Sequence, residues 1–171
     1  MSSISRPRRS GAHRVAIGDV VIGIVPLVLG SLVGVLTNAR GQRWYRELAK
    51  PSWTPPDGVF GPVWTVLYLL MGRALVLVLR EHRSRPATDV AVVAFGGQLG
   101  LNLLWSLLFF GLRRVRLALV EIVALWLAIV ATSLAFWRVR ATAGALLLPY
   151  LAWTSFAALL NAAIARRNRH S

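Results

Sequence analysis

Long uncharged runs divide the sequence into five apolar segments that are separated by short charged stretches. Residues 20–39, 90–112 and 141–165 contain no charge, which gives runs of 20, 23 and 25 residues. Two further runs each contain a single charge, Arg73 within 58–79 and Glu121 within 117–137. An α-helix needs about 20 mostly apolar residues to cross a bilayer. The pattern therefore predicts an all-α fold, an integral multi-pass membrane bundle of five helices.

The predicted organisation is a single transmembrane domain between two basic tails. The N-terminal tail is 1–14, the domain 15–165 and the C-terminal tail 166–171, with helices at about 15–39, 59–79, 90–112, 117–137 and 141–165 and a first interhelical loop at 40–58. The first apolar run follows a basic region, as in a signal peptide. It is longer than the roughly 7–15 residues of such signals, so we expect a retained first helix.

Composition supports a membrane protein and argues against two other classes. Only 15% of the residues are charged, against about 25% in an average soluble domain. The net charge of +14 comes from Arg and Lys spread over both tails and every connection. This distribution favours anionic lipid headgroups over nucleic acid as the partner. Nine basic residues lie on one side and ten on the other, which favours neither orientation. The absence of cysteine excludes disulfides and thiol chemistry.

The first loop combines rigidity with apolar surface. Three prolines exclude a continuous helix through it and reduce its backbone entropy. Its aromatic residues are Trp44, Tyr45 and Trp53. Two interpretations remain open at this point: an aromatic belt at the membrane interface, and a folded lid over a cavity between the helices. A flexible linker requires neither feature.

Three helices each have one face that combines aromatic or polar side chains at helical spacing. The faces are Phe60, Trp64 and Tyr68 on helix 2; Gln98, Asn102, Trp105 and Phe109 on helix 3; and Tyr150, Trp153, Ala157, Leu160 and Asn161 on helix 5. Polar side chains are costly in lipid and normally face the bundle interior. The pattern predicts an aromatic pocket between these helices, with ordinary interhelical packing as the alternative.

Four segments of the sequence resemble the TspO/MBR family of tryptophan-rich sensory proteins and translocator proteins. They are WYRELAKPSWTPPDGVFGPVWTVLYLLMG, GQLGLNLLWSLLFFG, ALVEI and LLLPYLAWTSFAALLN. The resemblance implies a five-helix membrane protein with a capping first loop that binds tetrapyrroles and frequently forms dimers. Some members of the family also bind cholesterol or benzodiazepine-type drugs. The helix 5 cholesterol motif needs a tyrosine after Asn161, where this chain has Ala162, so cholesterol is not expected.

The resemblance also implies roles for individual residues. Trp64 and Trp153 match pocket tryptophans that are implicated in light-dependent porphyrin degradation in bacterial relatives. Gln98 and Asn102 match polar pocket residues. The remaining expected ligand contacts are Ala157, which shapes the pocket, Trp53 and Phe60 at the lid and mouth, and Trp105, which shares the helix 3 face.

The residue types available favour binding over covalent or metal chemistry. His13, His82 and His170 lie in the tails and a loop, and Met71 is the one methionine within a span, so the usual axial ligands of haem iron are missing from the pocket. No metal site and no cofactor are expected, and a tetrapyrrole such as protoporphyrin would be held as a ligand by stacking. No firm catalytic residue is predicted; Trp64 and Trp153 would react only in a photochemical mechanism.

Three functions compete. The first is a membrane receptor or sensor that binds porphyrin-type ligands and regulates tetrapyrrole or stress responses. The second is a light-dependent porphyrin-degrading enzyme, and the third is a transporter of such ligands. The first is favoured because no nucleophile–base arrangement appears in the membrane segments.

Three charges within predicted spans require an explanation, because charges inside a membrane are functional candidates. Asp19 and Arg73 lie at similar depth on antiparallel helices, so we predict that they pair. Glu121 lies near a helix end, where snorkelling to the interface and a functional role are equally consistent with the sequence.

Gly96 and Gly100 form a G-x-x-x-G pattern on the side of helix 3 opposite Gln98. Small residues at this spacing allow close helix contact in membranes. The pattern predicts a homodimer through helix 3, and the alternative is a glycine face that packs within the monomer or faces lipid.

Overall fold

A computed structural model describes residues 17–81 and 85–168, and all of their side chains except those of residues 38–40 and 85. In this part of the chain every regular element is a helix: α1 (Ile17–Glu47), α2 (Asp57–Leu79), α3 (Arg85–Ser106), α4 (Val115–Val139), α5 (Ala141–Ala145) and α6 (Leu148–Arg167). A π-helical turn, Leu107–Gly111, continues α3. The described residues include five spans that are long and apolar enough to cross a membrane: Ile17–Thr37, Asp57–Leu79, Pro86–Gly111, Val115–Val139 and Ala141–Arg167. The predicted all-α, five-helix integral membrane fold is confirmed.

Helix α4 packs against α3 and α6. The rings of Phe95 on α3 and Phe136 on α4 stack with centroids 5.7 Å apart, and Phe136 is fully buried. Helix α1 lies at the periphery, where only 11% of its span is buried, compared with 50% for α2. Most of α1 therefore faces lipid.

Glycine determines how closely α1 approaches α2. A Cβ atom on Gly72 would overlap the backbone of Gly23, and one on Gly30 would overlap the ring of Tyr68. Without a hydrophobic driving force between helices in lipid, such close backbone contact is a main source of helix association. These two close contacts hold α1 against α2 along a narrow strip of its surface.

The predicted end of helix 1 near residue 39 is wrong, because α1 continues to Glu47. Arginines at 40, 43 and 46 do not interrupt a helix, and the next proline after them is Pro51. Trp44 and Tyr45 therefore lie on α1 rather than in a loop. Their rings pack against Phe109, with centroids 5.7 and 6.1 Å away.

The remaining loop, residues 48–56, is structured. Pro51 begins a turn in which its carbonyl accepts from both the backbone N–H (3.1 Å) and the hydroxyl (2.8 Å) of Thr54. The amide of Asn168, at the end of α6, accepts from the Ala49 N–H at 3.1 Å and donates to the Ala49 carbonyl at 3.0 Å. This pairing attaches the loop to the end of the last helix.

The predicted Asp19–Arg73 pair is wrong. The Asp19 carboxylate accepts from Arg80 Nε at 3.0 Å and also from Arg80 Nη2, whereas Arg73 is exposed on α2. Because α1 crosses α2 at Gly23 and Gly72, Arg73 lies beside the crossing, about one helical turn from the level of Asp19. The Arg80 side chain extends back to that level from the end of α2.

Candidate functional site

A cavity of about 480 Å³ lies between α1, α2, the end of α3 and α6. Seven of its lining residues are aromatic: Tyr45, Phe60, Trp64, Tyr68, Trp105, Phe109 and Phe110. Ligand sites in proteins are typically concavities of about 300–1,000 Å³ with mostly apolar and aromatic walls. Its volume and lining are those of a typical ligand site.

Helical spacing produces the aromatic wall. Residues four positions apart lie on one helix face, so Trp64 stacks on Tyr68 with centroids 5.5 Å apart and planes at 29°. Trp105 stacks on Phe109 in the same way, with centroids 5.2 Å apart and planes at 21°. Both stacks present extended apolar surface to the cavity.

Three lining residues carry buried polar atoms that have no hydrogen-bond partner among the described residues. They are the hydroxyl of Tyr45, Nε1 of Trp105 and both amide atoms of Asn161. Buried polar groups in proteins are almost always hydrogen-bonded. These three residues therefore hold, beside the cavity, polar groups whose hydrogen-bonding capacity no described residue uses.

Four of the eight predicted ligand contacts line the cavity: Phe60, Trp64, Trp105 and Ala157. They come from α2, the end of α3 and α6, so the three helix faces do meet around one space. No bound ligand tests their roles, which stay predictions.

The other four predicted contacts, Trp53, Gln98, Asn102 and Trp153, are not among the lining residues. Gln98 and Asn102 are buried, and Asn102 Oδ1 accepts a hydrogen bond of 2.8 Å from the Tyr68 hydroxyl. Asn102 therefore lies outside the cavity and fixes the position of Tyr68, which lines it.

The two tryptophans outside the lining form an aromatic row that ends at the cavity. The rings of Trp53 and Trp153 both contact Phe156, with centroids 5.8 and 5.3 Å away. Trp153 also contacts Phe60, at 5.8 Å, and Phe60 lines the cavity. Trp53 is 49% exposed and lies at the outer end of the row.

Helix α1 also contributes to the cavity, which the sequence pattern did not predict. The cavity is lined by Leu27, Gly30, Gly34 and Thr37, and also by Tyr45 near the C-terminal end of the same helix. Residues 30, 34 and 37 are small and share one helix face, which is the available signal for a helix that closes over a cavity.

Exposed residues of α1 and α2 form one edge of the cavity. Val35, which is 72% exposed, lies on α1, and Gly61 and Thr65 are exposed on α2. All three lie within membrane spans. The cavity thus has a lipid-facing edge, formed by these three residues.

The mouth of the cavity, where α1 ends and α2 begins, is charged. Arg46 Nε lies 3.3 Å from Asp57 Oδ2, and Asp57 is a lining residue. Lys50 Nζ lies 4.4 Å from the centroid of the Tyr45 ring and donates to the Tyr45 carbonyl at 3.0 Å. Burial, and then the negative charge of Asp57, raise the pKa of Tyr45 to about 12, so its hydroxyl remains a neutral donor.

Glu121 is buried on α4, with 8% exposure and with no hydrogen-bond partner for its carboxyl oxygens among the described residues. It therefore does not snorkel to the interface, and it does not line the cavity. Residues 17–81 and 85–168 contain no group of three or more side chains suited to a metal ion. His13, His82 and His170 lie outside the described residues.

Comparison with known proteins agrees with this architecture. The family model described as TspO/MBR family matches residues 22–167. The tryptophan-rich protein TspO of Chlorobaculum tepidum is 46% identical over 142 residues, covering 83% of this chain and 90% of that protein. The translocator protein of Homo sapiens is 44% identical over 144 residues, covering 82% and 84%. The tryptophan-rich sensory protein of Cereibacter sphaeroides is 39% identical over 125 residues, covering 73% and 77%. With a match over most of its length, the chain belongs to the TspO/MBR family.

Proposed function

We propose that this protein is a membrane receptor or sensor that binds porphyrin-type tetrapyrroles in its aromatic cavity and thereby regulates tetrapyrrole or stress responses. The observation that carries the proposal is a cavity of about 480 Å³ between four helices, three of which contribute aromatic residues to its wall, with three unpartnered polar groups beside it. A flat, mostly apolar macrocycle with a few polar substituents suits both features.

Stacking and dispersion supply the binding energy in this proposal. A planar macrocycle packs against aromatic side chains over a large area, and such contacts add about 0.5–1.5 kcal/mol per pair beyond burial itself. Trp64 would contact the macrocycle directly, since it lines the cavity, and Trp153 would act through Phe60. The amide of Asn161 and the indole N–H of Trp105 would contact polar edges of the ligand. The tetrapyrrole is a reversible ligand and not a resident cofactor.

The test is a titration of the purified protein with protoporphyrin, followed by quenching of tryptophan fluorescence. Trp64→Phe keeps most of the ring volume but shortens the stacked surface, so it should weaken binding several-fold and remove part of the quenching. Trp153→Phe should have a smaller effect on affinity because it acts through Phe60. Trp137→Phe, on the exposed end of α4, is the matched control and should bind as wild type. Wild-type affinity in the Trp64→Phe, Trp153→Phe double variant would refute the assignment.

A light-dependent degradation of porphyrin is the second candidate. It is favoured by the continuous contact from Trp64 to Tyr68 and to Tyr150, with centroids 5.5 and 6.1 Å from Trp64, because Trp64 can donate an electron to a photoexcited ligand and be re-reduced by an adjacent tyrosine. Illumination of the complex separates the candidates. A receptor releases protoporphyrin unchanged, whereas an enzyme yields a modified product whose formation slows in Trp64→Phe. Ligand flux into proteoliposomes would instead indicate transport.

A further inference from the structure

The mouth of the cavity contains an ion pair that joins the end of α1 to the start of α2. Arg46 and Asp57 are 67% and 43% exposed at their side chains, so the pair lies at the boundary with water. Among the described residues that line the cavity, Asp57 is the one acidic side chain, and no basic side chain lines it. Because Arg46 is paired with the lining residue Asp57, a ligand carboxylate at the mouth would meet both side chains.

We propose that this mouth is a carboxylate subsite, in which a carboxylate of the bound ligand replaces Asp57 on the guanidinium of Arg46 and accepts a hydrogen bond from the hydroxyl of Tyr45. Asp57 then acts as an internal competitor that holds Arg46 while the cavity is empty. The inference rests on the proposed function, because it assigns the carboxylate-bearing class of tetrapyrrole to the same cavity.

The exchange of one carboxylate for another on Arg46 requires little energy. Exposed ion pairs contribute only about 0–1 kcal/mol to stability, because water and salt screen them. A guanidinium presents its donors in a planar fork that matches any carboxylate, so the ligand can take over the contacts of Asp57. The structure therefore tolerates loss of the internal pair.

Tyr45 gives the subsite its selectivity. Its side chain is 6% exposed and lines the cavity, and its hydroxyl has no partner among the described residues. A neutral hydroxyl donates a stronger hydrogen bond to an anionic carboxylate than to the uncharged carbonyl of an ester. Lys50, whose ammonium lies over the Tyr45 ring, adds positive charge to the same place.

The test compares protoporphyrin, which has free propionate carboxylates, with its dimethyl ester, which has the same macrocycle without the charges. Both dissociation constants are measured by tryptophan quenching in nanodiscs of phosphatidylcholine, which carry no net anionic headgroups. Arg46→Gln should weaken protoporphyrin binding by up to about fivefold, since an exposed guanidinium contributes at most about 1 kcal/mol to holding a carboxylate, and should leave the ester unaffected. Asp57→Asn should strengthen protoporphyrin binding and leave the ester unaffected.

Two further variants sharpen the comparison. Tyr45→Phe should weaken protoporphyrin binding more than ester binding. Arg43→Gln removes the same charge from an exposed position one turn away on α1 and should change neither ligand. If Arg46→Gln and Arg43→Gln weaken protoporphyrin equally, the effect is general surface charge and the subsite is refuted. Equal losses for both ligands in Arg46→Gln would also overturn it. If neither ligand binds the wild-type protein, the proposed function itself fails.

Discussion

The hydroxyl of Tyr68 donates a hydrogen bond of 2.8 Å to Oδ1 of Asn102, which joins α2 to α3 directly behind the cavity. Tyr68 is 6% exposed and Asn102 is fully buried. Because Tyr68 also stacks on Trp64, this bond holds the orientation of two rings of the aromatic wall. The cavity is thus shaped by a polar contact that lies outside it.

Removing that bond should destabilise the protein and loosen the wall. We expect Tyr68→Phe to lower the free energy of unfolding by about 1 kcal/mol, since interhelical hydrogen bonds in membranes contribute about 0.6 kcal/mol on average and Asn102 is left with an unsatisfied acceptor. Thermal unfolding in detergent measures the loss. Thr65→Val is the control, because the Thr65 hydroxyl bonds only within its own helix, to the Gly61 carbonyl at 3.0 Å. Equal melting temperatures for Tyr68→Phe and wild type would contradict the prediction.

The Asp19–Arg80 pair should couple the start of α1 to the end of α2. Asp19→Asn and Arg80→Gln should each lower the melting temperature in detergent, and the double variant should lose less than the sum of the two single losses. Arg73→Gln is the matched control, because Arg73 is an exposed arginine on the same helix. Additive losses from Asp19→Asn and Arg80→Gln would mean that the pair contributes nothing.

Loss of the hydrogen bonds between the first loop and the end of α6 should affect the loop and not the stability of the whole protein. Asn168→Ala removes both hydrogen bonds to Ala49, so backbone amides at 48–54 should exchange with deuterium faster. The global melting temperature should change little, because these bonds are exposed. Arg166→Ala, an exposed neighbour on the same turn, should leave exchange in the loop unchanged. Unchanged exchange at Ala49 in Asn168→Ala would show that other contacts hold the loop.

The glycine face of α3 remains a predicted dimer interface. Gly96 and Gly100 are exposed, and a Cβ atom added to either would have no neighbour within 4 Å in the monomer. Gly100→Leu should therefore leave the monomer folded, abolish dimers in detergent or nanodiscs, and preserve ligand affinity. Gly18→Leu, which adds the same bulk at another exposed glycine, is the control. A dimer that survives both Gly96→Leu and Gly100→Leu would place the interface elsewhere.

Periodicity and the cost of polar groups in lipid are enough to predict the five spans and the inward side of helices 2, 3 and 5. Gln98 and Asn102 were placed in the interior because a buried amide has few alternatives in a membrane, and both are buried. The same argument could not decide whether they line the cavity or support it. For Asn102 the answer depends on Tyr68, whose hydroxyl donates a hydrogen bond to Oδ1 of Asn102.

Two errors share one cause. The predicted Asp19–Arg73 pair rests on depth alone. The actual partner of Asp19 is Arg80, as the crossing of α1 and α2 at Gly23 and Gly72 determines. The end of α1 was placed where charges begin, although charge marks the membrane boundary and not the end of a helix. Hydropathy reports the surroundings of a segment, whereas backbone geometry depends on glycine and proline.

The lipid-facing edge of the cavity, at Val35, Gly61 and Thr65, has a consequence for how affinity is defined. A hydrophobic ligand that enters through this edge equilibrates with the bilayer first and with the protein second. At a fixed total amount of ligand, occupancy then follows the mole fraction of ligand in the lipid phase. An apparent dissociation constant expressed as total ligand per litre of sample would rise as more lipid is added, because the ligand is diluted into a larger bilayer volume. Expressed per mole of lipid, the same constant would stay fixed.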